Sequence, residues 1–382
     1  MGTNFAEAKN DSNVEQNQAF IYAKKFLKEN VLNGEDFSLA FGFNVYDIDD
    51  SILGYYLSYN QRNGNKGYII IAANKERTPI IEFGEGDLGY SYKEALAEGN
   101  RIYYLGAINY LFAPNKEELL NYLEKIKNKQ IENLEADLKN DKLNISKAEA
   151  LSIKQSIEKE KLISMERGDY TELWSMLEND EDTLATNIGN SPYSEAKNMT
   201  TSKTLGVSRI WQRSSGIENP DSACGPASGA MVANYLNSQG YNVRNGSYYG
   251  GNAKFVNHLW DEMAWHFGAT MGKYQTKMKT HLNLDYSRSK FNIVTWDTND
   301  FKDYTRSIDE GFPVTIRFNN LVKGNYWSDW HFVVGGAYKT TSEGDFVGVK
   351  DPDGGSTNAA YVYFPWNPNY KVISLSKIST YY

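Results

Sequence analysis

The sequence predicts an α+β protein built from two folded parts, a smaller one at the N-terminus and a larger one at the C-terminus. A chain of 382 residues is too long for one ordinary hydrophobic core and suits two. Short strand-like runs bounded by turn residues occupy both ends of the chain. A stretch rich in Glu, Lys and Leu, followed by a polar stretch, separates the two sets of strands.

The smaller part, residues 1–114, is expected to be an α+β domain with one helix on an antiparallel sheet. Apolar side chains recur at helical spacing in residues 16–31. Strand-like runs with turn residues between them then cover residues 37–86. The run RIYYLGAINYLF, at residues 101–112, is expected to add another strand.

Residues 115–178 change character, and we expect them to form a helical hairpin. In residues 115–140, Glu and Lys side chains recur at i,i+4 spacing, which stabilises a helix. A second helix is expected in residues 146–166. Residues 179–206 are polar and poor in large apolar side chains, so we expect a linker and a processing region that proteases can cut.

The charge is unevenly divided, with a net of −11 in residues 1–200 and +3 in residues 201–382. The simpler interpretation is two folds with ordinary solvated surfaces. The alternative is an acidic segment that docks on a mildly basic domain. The sequence has no basic patch typical of nucleic-acid binding and no apolar run long enough to span a membrane. We therefore expect no nucleic-acid partner and no membrane span.

The larger part, residues 207–382, contains the only cysteine of the chain, Cys224, in the stretch DSACGPASGAMVANYL. A single cysteine excludes an internal disulfide and a zinc site built on several thiolates. Turn residues precede Cys224, and the pattern in 227–236 predicts a helix, so the thiol should lie at or just before a helix N-terminus. The helix dipole and free backbone N–H groups there favour the nucleophilic thiolate. The alternative interpretation is a small buried hydrophobic residue.

A thiolate nucleophile needs a base, and the chain has four histidines. His258 and His266 lie in VNHLWDEMAWHFG, which predicts an amphipathic helix with both residues at the surface or the core edge. His281 lies in the Lys-rich stretch KMKTHLNLD and is expected to be solvated. His331 differs because it opens the strand-like run HFVVGGAY, where a rigid backbone can aim the imidazole into a cleft. We therefore favour His331 as the base.

A third group should orient this imidazole. A turn at 340–345 and a second strand, FVGVKDPDGG, would bring Asp351 back beside His331. Alternatives for DPDGG are a plain acidic turn and a calcium loop. The backbone N–H of Cys224 and the side-chain amide of Gln212 are candidate oxyanion donors, although Gln212 has the alternative of being an ordinary surface residue. We predict Cys224, His331 and Asp351 as catalytic residues, with no metal and no cofactor.

This ordered set of residues resembles the papain-like cysteine peptidases of bacteria, and is similar to their branch related to bacteriocin-leader (double-glycine) peptidases. The matching positions are Gln212, the Cys-Gly-Pro-Ala of 224–227, His331 and the Asp-Pro of 351–352, and the resemblance covers about residues 205–382. It implies a papain-like domain in which the helix carrying the nucleophile packs on an antiparallel sheet. It also implies hydrolysis of peptide bonds in protein or peptide substrates. Gln212 stands farther from the cysteine than the amide in such enzymes often does, because the loop SSGIENPDSA intervenes.

The N-terminal part resembles the inhibitory prodomain of streptopain-type secreted peptidases, on the helix AFIYAKKFL and the strand pair KGYIIIAANKERTPIIEFGEG. The resemblance implies a zymogen whose N-terminal domain acts as an intramolecular inhibitor until the linker is cut.

The scarcity of cysteine and the Asn/Lys/Tyr-rich composition fit a secreted protein of Gram-positive bacteria. The polar first residues lack the apolar core of a signal peptide. We expect a secreted or cell-surface protein whose signal peptide is absent from this chain because it has been removed.

Two other functions are compatible with the same residues. A Cys-His-Asp constellation also serves other acyl-transfer enzymes, such as peptidoglycan amidases and transglutaminases, although the sequence has no recognisable wall-binding repeat. A non-catalytic binding module is the second alternative. Aromatic residues make up 14% of the chain, and some of them are candidates to line a groove: Tyr248, Tyr249, Trp327 and Trp330.

Overall fold

The structure is a computed structural model that combines a large, mainly antiparallel sheet with helices, which fits the predicted α+β class. The residues it describes are 12–86, 90–140, 146–159, 166–178, 200–265, 268–295, 300–323, 326–354, 360–369, 371 and 373–381. Below, the N-terminal half means residues 12–178 and the C-terminal half means residues 200–381. Among the described residues, no helix is long and apolar enough to cross a membrane.

The N-terminal half opens with helix α1 (Gln16–Phe26), which continues as one π-helical turn (Leu27–Val31). Its buried residues Ala19, Tyr22, Ala23 and Phe26 follow the spacing of one helix face, and this face covers the sheet. The strands are β1 (Phe37–Tyr46), β2 (Ile52–Gln61), β3 (Lys66–Ala72), β4 (Ile80–Glu85), β5 (Arg101–Tyr104) and β6 (Tyr110–Ala113).

The run at 101–112, expected as one strand, forms the two strands β5 and β6 instead. The chain reverses between them at Gly106 and Ile108, which both adopt positive φ angles of 122° and 57°. Glycine adopts such angles without strain, whereas the strand-like composition of the run conceals the turn. A short helix that the sequence pattern does not predict, α2 (Tyr90–Ala97), precedes the pair.

Two helices follow, α3 (Lys116–Asn140) and α4 (Lys147–Lys159), and a further helix, α5 (Thr171–Glu178), comes after them. Helix α5 returns to the N-terminal sheet, where the buried Trp174 donates its indole N–H to the carbonyl of Arg77 at 2.9 Å. Helices α3 and α4 contact each other, and both also lie against strand β12 of the C-terminal half. Helices α3 and α4 therefore contact both halves.

The C-terminal half holds five helices and nine strands among its described residues. The helices are α6 (Cys224–Ser238), α7 (Asn252–Met263), α8 (Met271–Leu282), α9 (Phe301–Asp309) and α10 (Trp366–Asn369). The strands are β7 (Thr201–Thr204), β8 (Ala264–Trp265), β9 (Gly268–Ala269), β10 (Phe291–Thr295), β11 (Val314–Lys323), β12 (Tyr326–Thr341), β13 (Gly344–Lys350), β14 (Val362–Pro365) and β15 (Ile373–Thr380).

One sheet runs through both halves in the order β10-β15-β11-β12-β13-β14-β4-β3-β2-β1-β5-β6. Strand β7 pairs with β12 off this path, although it lies at the end of the stretch predicted as a linker. Its sequence, Thr-Ser-Lys-Thr, lacks the apolar alternation by which a strand is recognised. The hydrophobic core is continuous across the β14–β4 junction. Strand β12, which begins shortly before His331, lies in the middle of the C-terminal sheet, with α6 packed on it.

Candidate active site

The thiol lies at the first residue of helix α6, where the sequence predicts a helix start. A 3-10 turn (Pro220–Ser222) leads into the helix, which begins at Cys224 itself. The first turn carries no acidic side chain. The first backbone N–H groups of a helix have no partner within it, so this end of α6 can donate hydrogen bonds. Cys224 is 8% exposed.

Small residues allow helix α6 to lie close to the strand that carries His331. A Cβ atom placed on Gly225 would lie 3.1 Å from Cβ of Ala269 and 3.6 Å from Cδ2 of Phe332. The residue after the cysteine thus packs against the residue after the histidine. A methyl group at Gly225 would crowd Ala269, and a longer side chain would also crowd the ring of Phe332.

His331 and Asp351 meet through the β12–β13 hairpin. The two strands pair as far as Val334 and Lys350, so the chain leaves β13 at Asp351, beside the part of β12 that holds His331. Nε2 of His331 lies 2.7 Å from Oδ1 of Asp351, and the two residues are 3% and 7% exposed. A neutral imidazole that donates a proton from Nε2 keeps its lone pair on Nδ1. The pair thus has the arrangement needed to take a proton at Nδ1.

The Asp351 carboxylate is also held by its own turn. The backbone N–H of Asp353 donates to Oδ1 of Asp351 at 2.9 Å, which closes a tight turn after strand β13. A carboxylate fixed in this way cannot rotate freely, so it fixes the orientation of the imidazole to which it is bonded.

Gln212 is almost fully buried, so it is not an ordinary surface residue. Its backbone N–H donates to the carbonyl of Pro352 at 2.8 Å, and its Nε2 donates to the carbonyl of Pro220 at 2.7 Å. The loop between Gln212 and Cys224 thus folds back, and the amide lies between the Asp351 turn and the turn that precedes the helix. A side-chain amide has two N–H groups, and the bond to Pro220 needs one.

Two arginines that the sequence analysis missed surround this arrangement. Nε of Arg209 donates to the carbonyl of Asp351 at 2.6 Å. Nε of Arg213 contacts Oδ1 of Asp353 at 2.7 Å, and its Nη1 contacts Oδ1 of Asp221 at 2.6 Å. Arg213 therefore ties the turn after Asp351 to the loop before the thiol. The clue in the sequence was that the positive charges of RIWQRSS are opposite to those of the two acidic turns that contain Asp221 and Asp353.

The pKa values of these arginines reflect where they lie. Burial lowers the pKa of Arg209, and the nearby carboxylates of Asp351 and Asp353 only partly oppose this effect. Burial also acts against the charge of Arg213, but the carboxylates of Asp353 and Asp221 outweigh it and raise the pKa. Both side chains carry a full positive charge at neutral pH because an arginine does not lose its proton in proteins.

The remaining histidines have other partners or lie outside the described residues. His258 lies on α7, where its ring stacks on Tyr249 with centroids 4.5 Å apart. The expectation that His281 is solvated is wrong. Its ring is buried beside Phe255, and Nε2 contacts the carbonyl of Arg244 at 2.9 Å. Burial lowers the pKa of His281, so its ring is neutral at physiological pH. His266 lies outside the described residues.

One family of known proteins matches part of this chain. Residues 204–372 match the model of the Peptidase_C39 like family. The match supports a papain-like cysteine peptidase for this part of the chain, and hence hydrolase activity. No curated protein matches the chain. Among the residues that the structure describes, no group of three His, Cys, Asp or Glu side chains is placed to hold a metal ion.

Proposed function

We propose that this protein is a cysteine endopeptidase that acts through Cys224, His331 and Asp351. The observation that carries the proposal is the buried hydrogen bond between His331 and Asp351, on the strand against which the helix of Cys224 packs. The family match to residues 204–372 supports the same reaction class. Peptides and proteins are the proposed substrates, in line with the peptidases of bacteria that the sequence resembles.

In the proposed reaction, the thiolate of Cys224 attacks the carbonyl carbon of the scissile peptide bond. The imidazolium of His331 then gives its Nδ1 proton to the leaving amine, and an acyl-enzyme thioester remains. Water, deprotonated by the same imidazole, hydrolyses the thioester and restores the thiol. Throughout these steps, Asp351 accepts a hydrogen bond from the Nε2–H group of His331. This bond keeps the proton on Nε2 and leaves Nδ1 to exchange protons with the reacting groups.

The proposed oxyanion hole consists of the backbone N–H of Cys224 and the side-chain amide of Gln212. Each donor is expected to lower the barrier by about 3–4 kcal/mol when it points at the developing negative charge. The position of Gln212 between two turns gives a rigid mount for such a donor. This supports the assignment, since preorganised donors cost no reorganisation during the reaction.

We further propose that the protein is a secreted or cell-surface zymogen and that its N-terminal half limits access to the site until the linker is cut. Two observations support this proposal. The three catalytic side chains are each less than a tenth exposed in the intact chain. Helices α3 and α4 lie against β12, the strand that carries His331, so the N-terminal half contacts the frame of the site.

Incubation of the purified chain beside its Cys224→Ala variant tests the proposal. We expect the wild-type protein to hydrolyse casein and to lose a fragment of about 20 kDa, while Cys224→Ala does neither. The variant removes one sulfur atom from the helix start and should otherwise fold normally. Purified peptidoglycan serves as the second substrate. Release of wall fragments without casein hydrolysis would overturn the peptidase assignment in favour of an amidase.

A further inference from the structure

We propose that the N-terminal half remains bound to the C-terminal half as a non-covalent subunit after the linker is cut. Cutting the linker would then relieve the block on the site without releasing this half, and the mature enzyme would consist of two chains. The relevance of the cut rests on the proposed function. The binding itself rests on the contacts between the halves, which we call the seam. All seam contacts described below join residues 12–178 to residues 200–381, so a cut within 179–199 breaks none of them.

The seam begins with a strand pairing. Strand β4 pairs antiparallel with β14, with Gly84 opposite Val362 and Phe83 opposite Tyr363. A Cβ atom on Gly84 would lie 3.2 Å from the carbonyl oxygen of Tyr361, so a larger residue would fit only if the two strands moved apart by a few tenths of an ångström. Departure of the N-terminal half would leave the edge of β14 unpaired, which proteins avoid.

An aromatic cluster fills the space beneath this strand pairing. Phe26 and Phe83 come from the N-terminal half, and Phe346 and Tyr363 come from the C-terminal half. Phe83 stacks on Tyr363 with centroids 5.0 Å apart, and its ring meets that of Phe346 edge-on at 5.3 Å. The ring centroids of Phe26 and Phe346 lie 5.6 Å apart. All four rings are buried, so separation of the halves would return a large apolar surface to water.

A buried polar cluster lies beside the aromatic rings. Nδ2 of Asn30 donates to Oε2 of Glu343 at 3.2 Å, and its Oδ1 accepts from the hydroxyl of Thr200 at 2.9 Å. Nζ of Lys339 donates to the carbonyl of Asn30 at 3.1 Å. Because Asn30 and Glu343 are both buried, their hydrogen bonds are costly to lose. Thr200 follows the linker, so its bond survives a cut upstream.

These features resemble the inside of one domain more than a surface contact between a domain and a detachable inhibitor. Aromatic packing, a shared sheet and buried side-chain hydrogen bonds occur together at the seam, and the core is continuous across it. Obligate interfaces have this character. The partner that fits the β14 edge is therefore the N-terminal half of this same chain.

Cutting the full-length chain at a chosen position tests this inference. A recognition site for a sequence-specific protease replaces residues 188–193 in a Cys224→Ala chain, which makes the outcome independent of peptidase activity. After complete cleavage, confirmed on a denaturing gel, the fragments are run on a size-exclusion column at about 1 µM. We expect one peak at the position of the uncut 43.3-kDa chain, with both fragments in it. Two separate peaks would overturn the inference.

Substitutions on the two sides of the seam test which residues hold the halves together. In the cut protein, Phe346→Ala and Asn30→Ala are each expected to raise the dissociation constant at least about tenfold. Phe43→Ala serves as a matched control, since the ring of Phe43 stacks on Tyr56 and Tyr92 and its strand β1 pairs with β2 and β5, all inside the N-terminal half. Asn30→Ala keeps the test decisive if Phe346→Ala does not fold. Equal dissociation constants for Asn30→Ala and Phe43→Ala would overturn the proposed surface.

Discussion

Each half of the molecule buries a carboxylate, but the two carboxylates have different neighbours. Glu82, in the N-terminal half, accepts hydrogen bonds from the hydroxyls of Tyr68 at 2.8 Å and Tyr110 at 2.6 Å. Asp351, in the C-terminal half, accepts from the imidazole of His331 at 2.7 Å. Burial, and then the charge of Glu82, raises the pKa of both tyrosines well above 10. These hydroxyls keep their protons, whereas an imidazole exchanges protons near neutral pH.

The same contrast holds for two arginines. Arg77 is buried in the N-terminal half, where it forms an ion pair with the buried Asp47. Arg213 is partly exposed and links two acidic turns that flank the candidate site. Burial alone therefore does not distinguish a structural charge from a functional one. The distinguishing feature is whether the charge fixes a group that can exchange a proton or attack a carbonyl.

The largest effects are expected when each of the two carboxylates is replaced by an amide. Asp351→Asn is expected to lower kcat/KM for casein peptides about 10³–10⁴-fold, because an amide no longer selects the tautomer with its lone pair on Nδ1. Glu82→Gln should leave kcat/KM within about twofold but lower the free energy of unfolding by about 2–4 kcal/mol, since an amide cannot accept all the bonds that converge on Glu82. Peptide hydrolysis and urea unfolding of both variants measure the two effects.

Asp351→Asn and Glu82→Gln serve as controls for each other, because each removes the charge of one buried carboxylate. If Glu82→Gln removed activity while Asp351→Asn kept it, the proposed roles of the two halves would be reversed. Similar losses of stability without any loss of activity would show that both carboxylates are structural.

A smaller effect is expected from Arg213→Ala. The loss of the link between Asp353 and Asp221 should loosen the geometry of the site and lower kcat/KM about 10–100-fold. The free energy of unfolding should change by less than about 1 kcal/mol, since the ion pairs of Arg213 are partly exposed. Arg244→Ala is the matched control, because Arg244 binds Asp285 through two nitrogens away from the site. Equal kcat/KM values for the two variants would exclude a positioning role.

The smallest effect concerns Lys350, the residue before Asp351. Burial lowers its pKa from 10.5 to about 8, and its Nζ lies 4.1 Å from the centre of the Tyr361 ring. The unfolded chain binds this proton more tightly, so the stability cost of Lys350 is full below pH 8 and fades as the pH rises from 8 to 10.5. Lys350→Met should therefore raise the free energy of unfolding by about 1–2 kcal/mol at pH 7, less at pH 10. Urea unfolding at both pH values measures this, and a difference independent of pH would contradict it.

The sequence was sufficient to predict those parts of the site that depend on local geometry. An antiparallel hairpin returns to its own start, so His331 and Asp351 had to approach each other once the turn between their strands was recognised. Likewise, the small residues after Cys224 indicated a helix start with space around the thiol.

Long-range relationships were not accessible in the same way. No local pattern shows that β4 pairs with β14, because both strands are apolar enough to lie anywhere inside a sheet. His281 appeared solvated because its neighbours in the sequence are lysines, yet its ring points away from them toward Phe255. Arg213 contacts Asp353, which lies 140 positions later in the chain, and Arg209 contacts the same turn, so the positions of both arginines depend on long-range folding. Tertiary packing sets these features, and single-sequence patterns do not record it.

Strand β7 has a practical consequence for anyone who wishes to prepare the catalytic portion separately. Thr201–Thr204 pair with residues 337–340 of β12, on the same strand as His331. A recombinant fragment that starts at Leu205, where the apolar composition resumes, would strip that strand of a neighbour and expose part of its backbone. A start codon placed at or before Thr200 keeps this neighbour, and supplying residues 12–178 as a second chain keeps the pairing of β14 with β4 as well.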